Sequence, residues 1–264
     1  MVWVAPLPVA RAGVTLSPMA TPRLLVVQTG TVAEPLRAEH GDYPAWFARA
    51  LDGVARLSTL RAHEGEPLSA HAIERAGAAG IIVSGSPLSV TAAERQPWMD
   101  DLGPALFDLG ARGVPVLGVC FGHQLLCKAA GGEVVKNPRG REIGTIEVQL
   151  TQAGQRDPLF AWARASGLDR IEVQATHLDA VEPLPASATV LASNENTPFQ
   201  AVRFSETIAS VQFHPELRPE ALRALIASRA ERMRAEGMDP DALAAQVRPT
   251  DGARVLEAFA GQCR

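Results

Sequence analysis

Short apolar runs alternate with helix-period stretches through the first half of the chain. Residues 24–28 form a β-rich run that ends at Thr29 and Gly30, and a helical pattern follows over 46–51. Further strand-like runs at 54–60, 80–84 and 115–119 are separated by helical segments near 70–76 and 93–109. Apolar strands divided by helices predict a mostly parallel sheet, because each crossover must return over a face of the sheet and bury it. Over 145–150, 171–175, 189–192, 199–204 and 208–213 the runs lie closer together, with turn-formers between them, so antiparallel hairpins are expected to extend the sheet. After Pro219 the period becomes helical, with Leu222, Leu225, Ile226, Ala230 and Met233 on one stripe and arginines and glutamates elsewhere. This segment reads as a packing helix. Asp239 and Pro240 supply a cap and a first-turn proline for a helix to about 247, and 255–259 forms a last one.

At 264 residues, this α/β pattern fits one domain. The division expected is a disordered tail over 1–20, or an upstream start that is not used, a main domain over 21–217, and C-terminal helices over 218–264 that pack on it. With 47% hydrophobic and 20% charged residues the chain can build a core, and a net charge of -4 offers no basic footprint for nucleic acid. Three cysteines are too sparse for a disulfide framework or a zinc site, which points to a reducing cytoplasm and no metal. No apolar run approaches the roughly 18 residues of a membrane span, so a soluble protein without a membrane partner is expected.

The chemistry concentrates in Gly118-Val119-Cys120-Phe121-Gly122, where an apolar strand turns into a helix. Small residues on either side of Cys120 permit a sharp elbow that lifts the thiol above the sheet edge, as in Gly-x-Ser-x-Gly hydrolases. The new helix points backbone N–H groups and its positive end at the sulfur, which activates it as a nucleophile. Cys127, two turns along, reads as core. A thiol nucleophile needs a base, and His214 ends an apolar strand with Pro215 and Glu216 after it. If the chain stays extended there, Glu216 emerges beside His214 and orients its imidazole. His123, three residues past Cys120, is read as a supporting residue, and His177 with Asp179 forms a second His/Asp pair that remains open as an alternative. Gln124 shares the helical face of Cys120 and is expected to touch a substrate amide. Gly131 and Gly132 read as a helix-ending turn, not a phosphate cradle, and no other Gly-rich loop suggests nucleotide chemistry.

Gly118 to Gln124, together with Phe213-His214-Pro215-Glu216 and Ile82-Val83-Ser84-Gly85-Ser86-Pro87, resembles the class I (triad) glutamine amidotransferases, nearest the stand-alone GMP-synthase-like members. The resemblance covers about residues 23–217. It implies a flavodoxin-like sheet and a Cys120, His214, Glu216 triad that attacks a γ-glutamyl amide through a thioester and releases ammonia from glutamine. It also implies an oxyanion site at the backbone of Phe121 and the Gly85-Ser86 loop, substrate contact at Gln124, and no cofactor. Two positions depart from the family's pattern: Ser86 stands where glycine often precedes the loop proline, and Leu178 stands where Ser-His-Gly-Asp is usual. The alternatives are a γ-glutamyl peptidase acting on peptides or conjugates, and a glutaminase subunit whose partner is a separate synthetase chain, since no synthetase loop is present.

Overall fold

The computed structural model describes residues 21–91 and 96–263. The expected tail over 1–20, and the start of the helix expected from 93, lie outside them. Strand β1 (Arg23–Gln28) leads through α1 (Leu36–His40) and α2 (Tyr43–Ala50) to β2 (Arg56–Arg61), and α3 (Ala70–Ala76) leads to β3 (Gly80–Val83). Helix α4 (Trp98–Ala111) precedes β4 (Val116–Val119), which turns directly into α5 (Phe121–Ala129). The middle of the chain supplies β5 (Val134–Lys136), β6 (Glu142–Leu150), α6 (Gln152–Arg156), α7 (Ala161–Ala165), β7 (Arg170–His177) and β8 (Asp179–Val181). It closes with β9 (Thr189–Ser193), β10 (Ala201–Arg203) and β11 (Ile208–Val211), followed by α8 (Pro219–Ser228), α9 (Ala230–Ala235), α10 (Pro240–Gln246) and α11 (Ala253–Gln262).

Nine strands form one sheet in the order β2-β1-β3-β4-β11-β10-β9-β6-β7. The first five are parallel, and β10, β9, β6 and β7 continue it antiparallel, as the change in run spacing predicts. Side chains alternate between two buried faces: Leu24 and Val26 join one core, Leu25 and Val27 the other. Leu222, Leu225 and Ile226 of α8, Met233 of α9, and Val255, Leu256 and Phe259 of α11 belong to the first core together with sheet residues. Two features were not anticipated. β5 and β8 pair as a small separate sheet, and the helix expected to continue past Ser228 breaks at Arg229, where φ -113 and ψ 8 end α8 and begin α9.

The topology places the chemistry. β4 and β11 are parallel neighbours with Val119 opposite Val211, so both chains leave the sheet at the same edge. Cys120 follows one strand and His214 lies just past the other.

Candidate active site

Cys120 has φ 50 and ψ -96, and among the described residues it is the one non-glycine with positive φ. The elbow is held from below. The Cys120 N–H donates to Val211 O at 2.8 Å, and its carbonyl accepts from Gln124 N at 3.0 Å as α5 begins. A Cβ on Gly118 would lie 2.7 Å from the Gly122 carbonyl, and one on Gly122 would lie 2.7 Å from Val83 O. The two glycines thus let strand and helix pack back to back while Cys120 itself takes the strained conformation.

His214 is anchored by its N–H to Gln174 O at 2.8 Å, and its Nδ1 lies 2.7 Å from Glu216 Oε1. The backbone does not stay extended after His214. Pro215 and Glu216 form a turn in which Leu217 N donates to His214 O at 3.4 Å, and this turn, not an extended chain, folds the carboxylate back onto the imidazole. Both side chains are buried. Burial by itself lowers the basicity of His214. The charges of Glu216 and Cys120, and hydrogen bonds to both, outweigh it and raise the imidazole well above the ordinary histidine range.

The 82–87 loop faces the same thiol. Thr29 Oγ1 meets the carbonyls of Ser84 and Gly85 at 3.1 and 3.0 Å, which fixes the loop. Among the described residues, the N–H groups of Gly85, Ser86 and Phe121 have no acceptor within the protein. They are therefore free to receive a negatively charged oxygen. A Cβ on Gly85 would stand 2.7 Å from His214 Cε1 and 3.1 Å from a Tyr43 ring carbon, so only glycine fits between them. Neither Ser86 nor Leu178 adopts a positive φ. Ser86 donates instead to Thr29 O at 2.9 Å and accepts from Leu88 N at 3.1 Å, so the departure from glycine braces the loop.

A cavity of about 480 Å³ opens in front of Cys120, lined by Ser86, Phe121, Gln124, Thr176, His177 and Asp179, and by Arg141, Arg229 and Arg232. Gln124 reaches it, but its Nε2 already donates to Asp179 O at 3.0 Å and Gln212 Oε1 at 3.2 Å. His123 does not line it. Its Nδ1 meets Ser210 Oγ at 2.8 Å, and burial, with nearby His177, pushes the imidazole down to about 3. His177 pairs with Glu142 Oε2 at 2.9 Å, while the carboxylate of Asp179 accepts from Ser89, so the two are not a His/Asp pair. Asn194 and Gln200 each donate to Glu142 at 2.6 Å. Burial opposes the charge on Glu142, but these hydrogen bonds and His177 hold its carboxyl below the usual range.

Motif reading missed Tyr43, Arg141 and Arg229, and took Glu142 only as part of a Glu142-Ile143-Gly144 segment in the order the resemblance implies, without its pairing to His177. Tyr43 is the single tyrosine of the chain and follows the helix cap Asp42, a local signal with no chemistry attached. Cys127 is fully buried, which raises its thiol, and Gly131 with φ 92 turns the chain at the end of α5. Among the described residues no group of three or more His, Cys, Asp or Glu side chains is placed to hold a metal, and no helix is long and apolar enough to cross a membrane.

A sheet whose adjacent parallel strands deliver a cysteine elbow and a His/Glu pair defines an α/β enzyme fold of the amidotransferase type. The family model "Glutamine amidotransferase class-I" matches residues 55–230, and the chain belongs to that family. It is 33% identical over 199 residues to the GMP synthase (glutamine-hydrolyzing) of Aeropyrum pernix, covering 75% of this chain and 33% of that protein. It is 34% identical over 178 residues to the enzyme of the same name from Lactococcus lactis subsp. cremoris, covering 67% of this chain and 31% of that protein. The chain thus spans about a third of these relatives' length. Among solved structures, a glutamine amidotransferase from Thermotoga maritima superposes with a TM-score of 0.70 at 19% identity, covering 91% of this chain and 96% of that one. A glutamine amido transferase from Methylobacillus flagellatus gives 0.69 at 23% identity, covering 92% and 94%. These likenesses show the mostly parallel α/β amidotransferase fold.

Proposed function

We propose that the protein hydrolyses a γ-glutamyl amide, with glutamine as substrate and ammonia as product, through a triad of Cys120, His214 and Glu216. The observation that carries this reading is the buried His214 imidazole, held 2.7 Å from Glu216 and within interaction range of the Cys120 thiol at its strained elbow. With Nδ1–H donated to Glu216, Nε2 is left to exchange a proton with the sulfur. The thiolate attacks the side-chain carbonyl carbon of the substrate. The N–H groups of Phe121, Gly85 and Ser86 receive the oxygen as its charge develops. His214 then gives its proton to the leaving nitrogen, so ammonia departs and a γ-glutamyl thioester remains on Cys120. Water, deprotonated by the same imidazole, cleaves the thioester and releases glutamate.

The core shared by the sheet with α8, α9 and α11 supports reading residues 218–264 as part of the catalytic domain that begins near residue 21. The likeness to GMP synthases supports a synthetase as the proposed ammonia acceptor. A cytoplasmic setting agrees with three free cysteines. The test is ammonia released from glutamine against amine released from γ-glutamyl peptides, with Cys120→Ala as the blank. Ammonia from glutamine in the wild type alone supports the reading, amine from peptides alone favours the peptidase alternative, and equal release by wild type and variant overturns both.

A further inference from the structure

A second cavity, of about 250 Å³, borders Glu216 and shares no lining residue with the one before Cys120. Glu216 is 2% exposed, and its Oε1 meets His214 Nδ1, whereas its Oε2 is buried with no donor among the described residues. A buried carboxylate oxygen without a donor is costly, so a folded protein normally supplies one. The walls explain why the chain does not. Pro215, Pro219 and Pro249 line the cavity, and a proline nitrogen has no hydrogen to donate. Thr250 brings the one hydroxyl among the lining residues; its Oγ1 accepts from Gly252 N at 3.4 Å, so its own proton is left to donate. This segment packs on the triad turn, since a Cβ on Gly252 would lie 3.5 Å from Pro215 Cα. Arg49 and Arg218 also line the space, as exposed side chains. Two guanidinium groups disfavour a cation there and the carboxylate disfavours an anion, which leaves a neutral hydrogen-bond donor. Water fits, because it needs only ~30 Å³ and two or more polar partners, here Glu216 Oε2 and Thr250.

We propose that this cavity is a water site, in which a water held by Thr250 donates to Glu216 Oε2, and that Thr250 is thereby a positioning residue of the triad. This rests on the triad reading above for what the positioning serves. Glu216 attracts the proton that His214 must give to the leaving nitrogen. With Oε2 hydrogen-bonded to water, part of the carboxylate's charge is met by a neutral donor, and its hold on the imidazolium weakens. With Oε2 bare, the imidazolium alone stabilises the carboxylate, so the proton stays on His214 to higher pH. The other charged or titratable groups that face the pair are Cys120 at the elbow, Tyr43 and Arg49 of α2, Arg218 before α8, and Arg229, which acts through Tyr43 and Cys120. None of them gives a hydrogen bond to Oε2.

Two measurements that need no turnover test this. In a crystal structure of the wild-type protein, a water should stand about 2.5–3.0 Å from Glu216 Oε2 and within hydrogen-bond reach of Thr250. A protein donor on Oε2, or no water beside it, overturns the proposal. The second is the titration of His214 by NMR in Cys120→Ala, where loss of the sulfur's charge brings the imidazole down toward the ordinary range. Adding Ala253→Leu, which fills the cavity from the start of α11, should raise that titration by about one pH unit, the tenfold change of a lost hydrogen bond to a charged group. Thr250→Val, nearly the same size as the residue it replaces, should move it in the same direction, and Thr250→Ser should return it to the parent value. No shift, or a downward one, with Thr250→Val overturns the proposal even where Ala253→Leu fails to fold. A protein that releases no ammonia but shows the water and the shifts keeps the site and loses the hydrolytic reading.

Discussion

Cys120 sits where a side chain is costly, and the cost is separable from its chemistry. Cys120→Ala removes the thiol but keeps a Cβ at φ 50, whereas Cys120→Gly removes both. Denaturant unfolding should therefore find the Gly variant more stable than the Ala variant by about 1 kcal/mol, although glycine is ordinarily the less stable choice. Both should be inactive. Among the thiols, peptide mapping after brief iodoacetamide treatment should find Cys120 modified first. Cys127 and Cys263 are fully buried, and burial pushes the Cys263 thiol up to about 12 and that of Cys127 further. The raised His214 makes a signed prediction. An imidazole whose folded value exceeds its unfolded value of about 6.5 contributes stability that is complete below that pH and is lost as pH rises through the folded value. Cys120→Ser removes one of the charges that raise it, so His214 should titrate at lower pH by NMR in that variant.

Loops and strand ends decide the geometry of the pair. Gly85→Ala would push a methyl into the His214 ring and Tyr43, and kcat/KM should fall by about 10²-fold for a displacement near 1 Å, with a smaller change in Tm. The elbow and the β11 end were legible in the sequence because each is local: glycines flank Cys120, and Glu216 follows His214 by two positions. The turn at Pro215 changes the path but not the partner, since a side chain two residues away reaches back by either route. Glu142 was illegible as the partner of His177 because β6 and β7 bring them together across an antiparallel pairing that spacing does not encode. Arg229 was hidden differently. It shares the helical phase of Leu222, Leu225, Ile226 and Met233, a stripe that reads as core, and nothing in the spacing shows that it lines the cavity from the break between α8 and α9.

The whole domain has two cores, one on each face of the sheet, and the C-terminal helices complete the first of them. Cutting the chain after Leu217 removes Leu222, Leu225, Ile226, Val255, Leu256 and Phe259 from that core and takes Arg229 with them. The truncated protein should lose its cooperative thermal transition in calorimetry, because each fully buried apolar side chain lost costs about 1.5–3 kcal/mol and domains are only marginally stable. The α/β class and the change from parallel to antiparallel pairing were readable from run length and spacing. The nine-strand order was not, because β11 inserts beside β4 while six strands formed between them in sequence lie elsewhere.

That insertion has a consequence for how the protein comes into being. Parallel pairing of β4 with β11 closes a long loop, the kind of contact that forms late and slowly. Until it closes, the thiol lacks the carbonyl of Val211 under its elbow and the proposed base, His214, beside it. A chain still emerging from the ribosome, or one refolding from denaturant with only its first four strands in place, therefore carries an unarmed cysteine. The reactivity of one sulfur would report the closure of β11 on β4, and the proposed hydrolysis would wait for it.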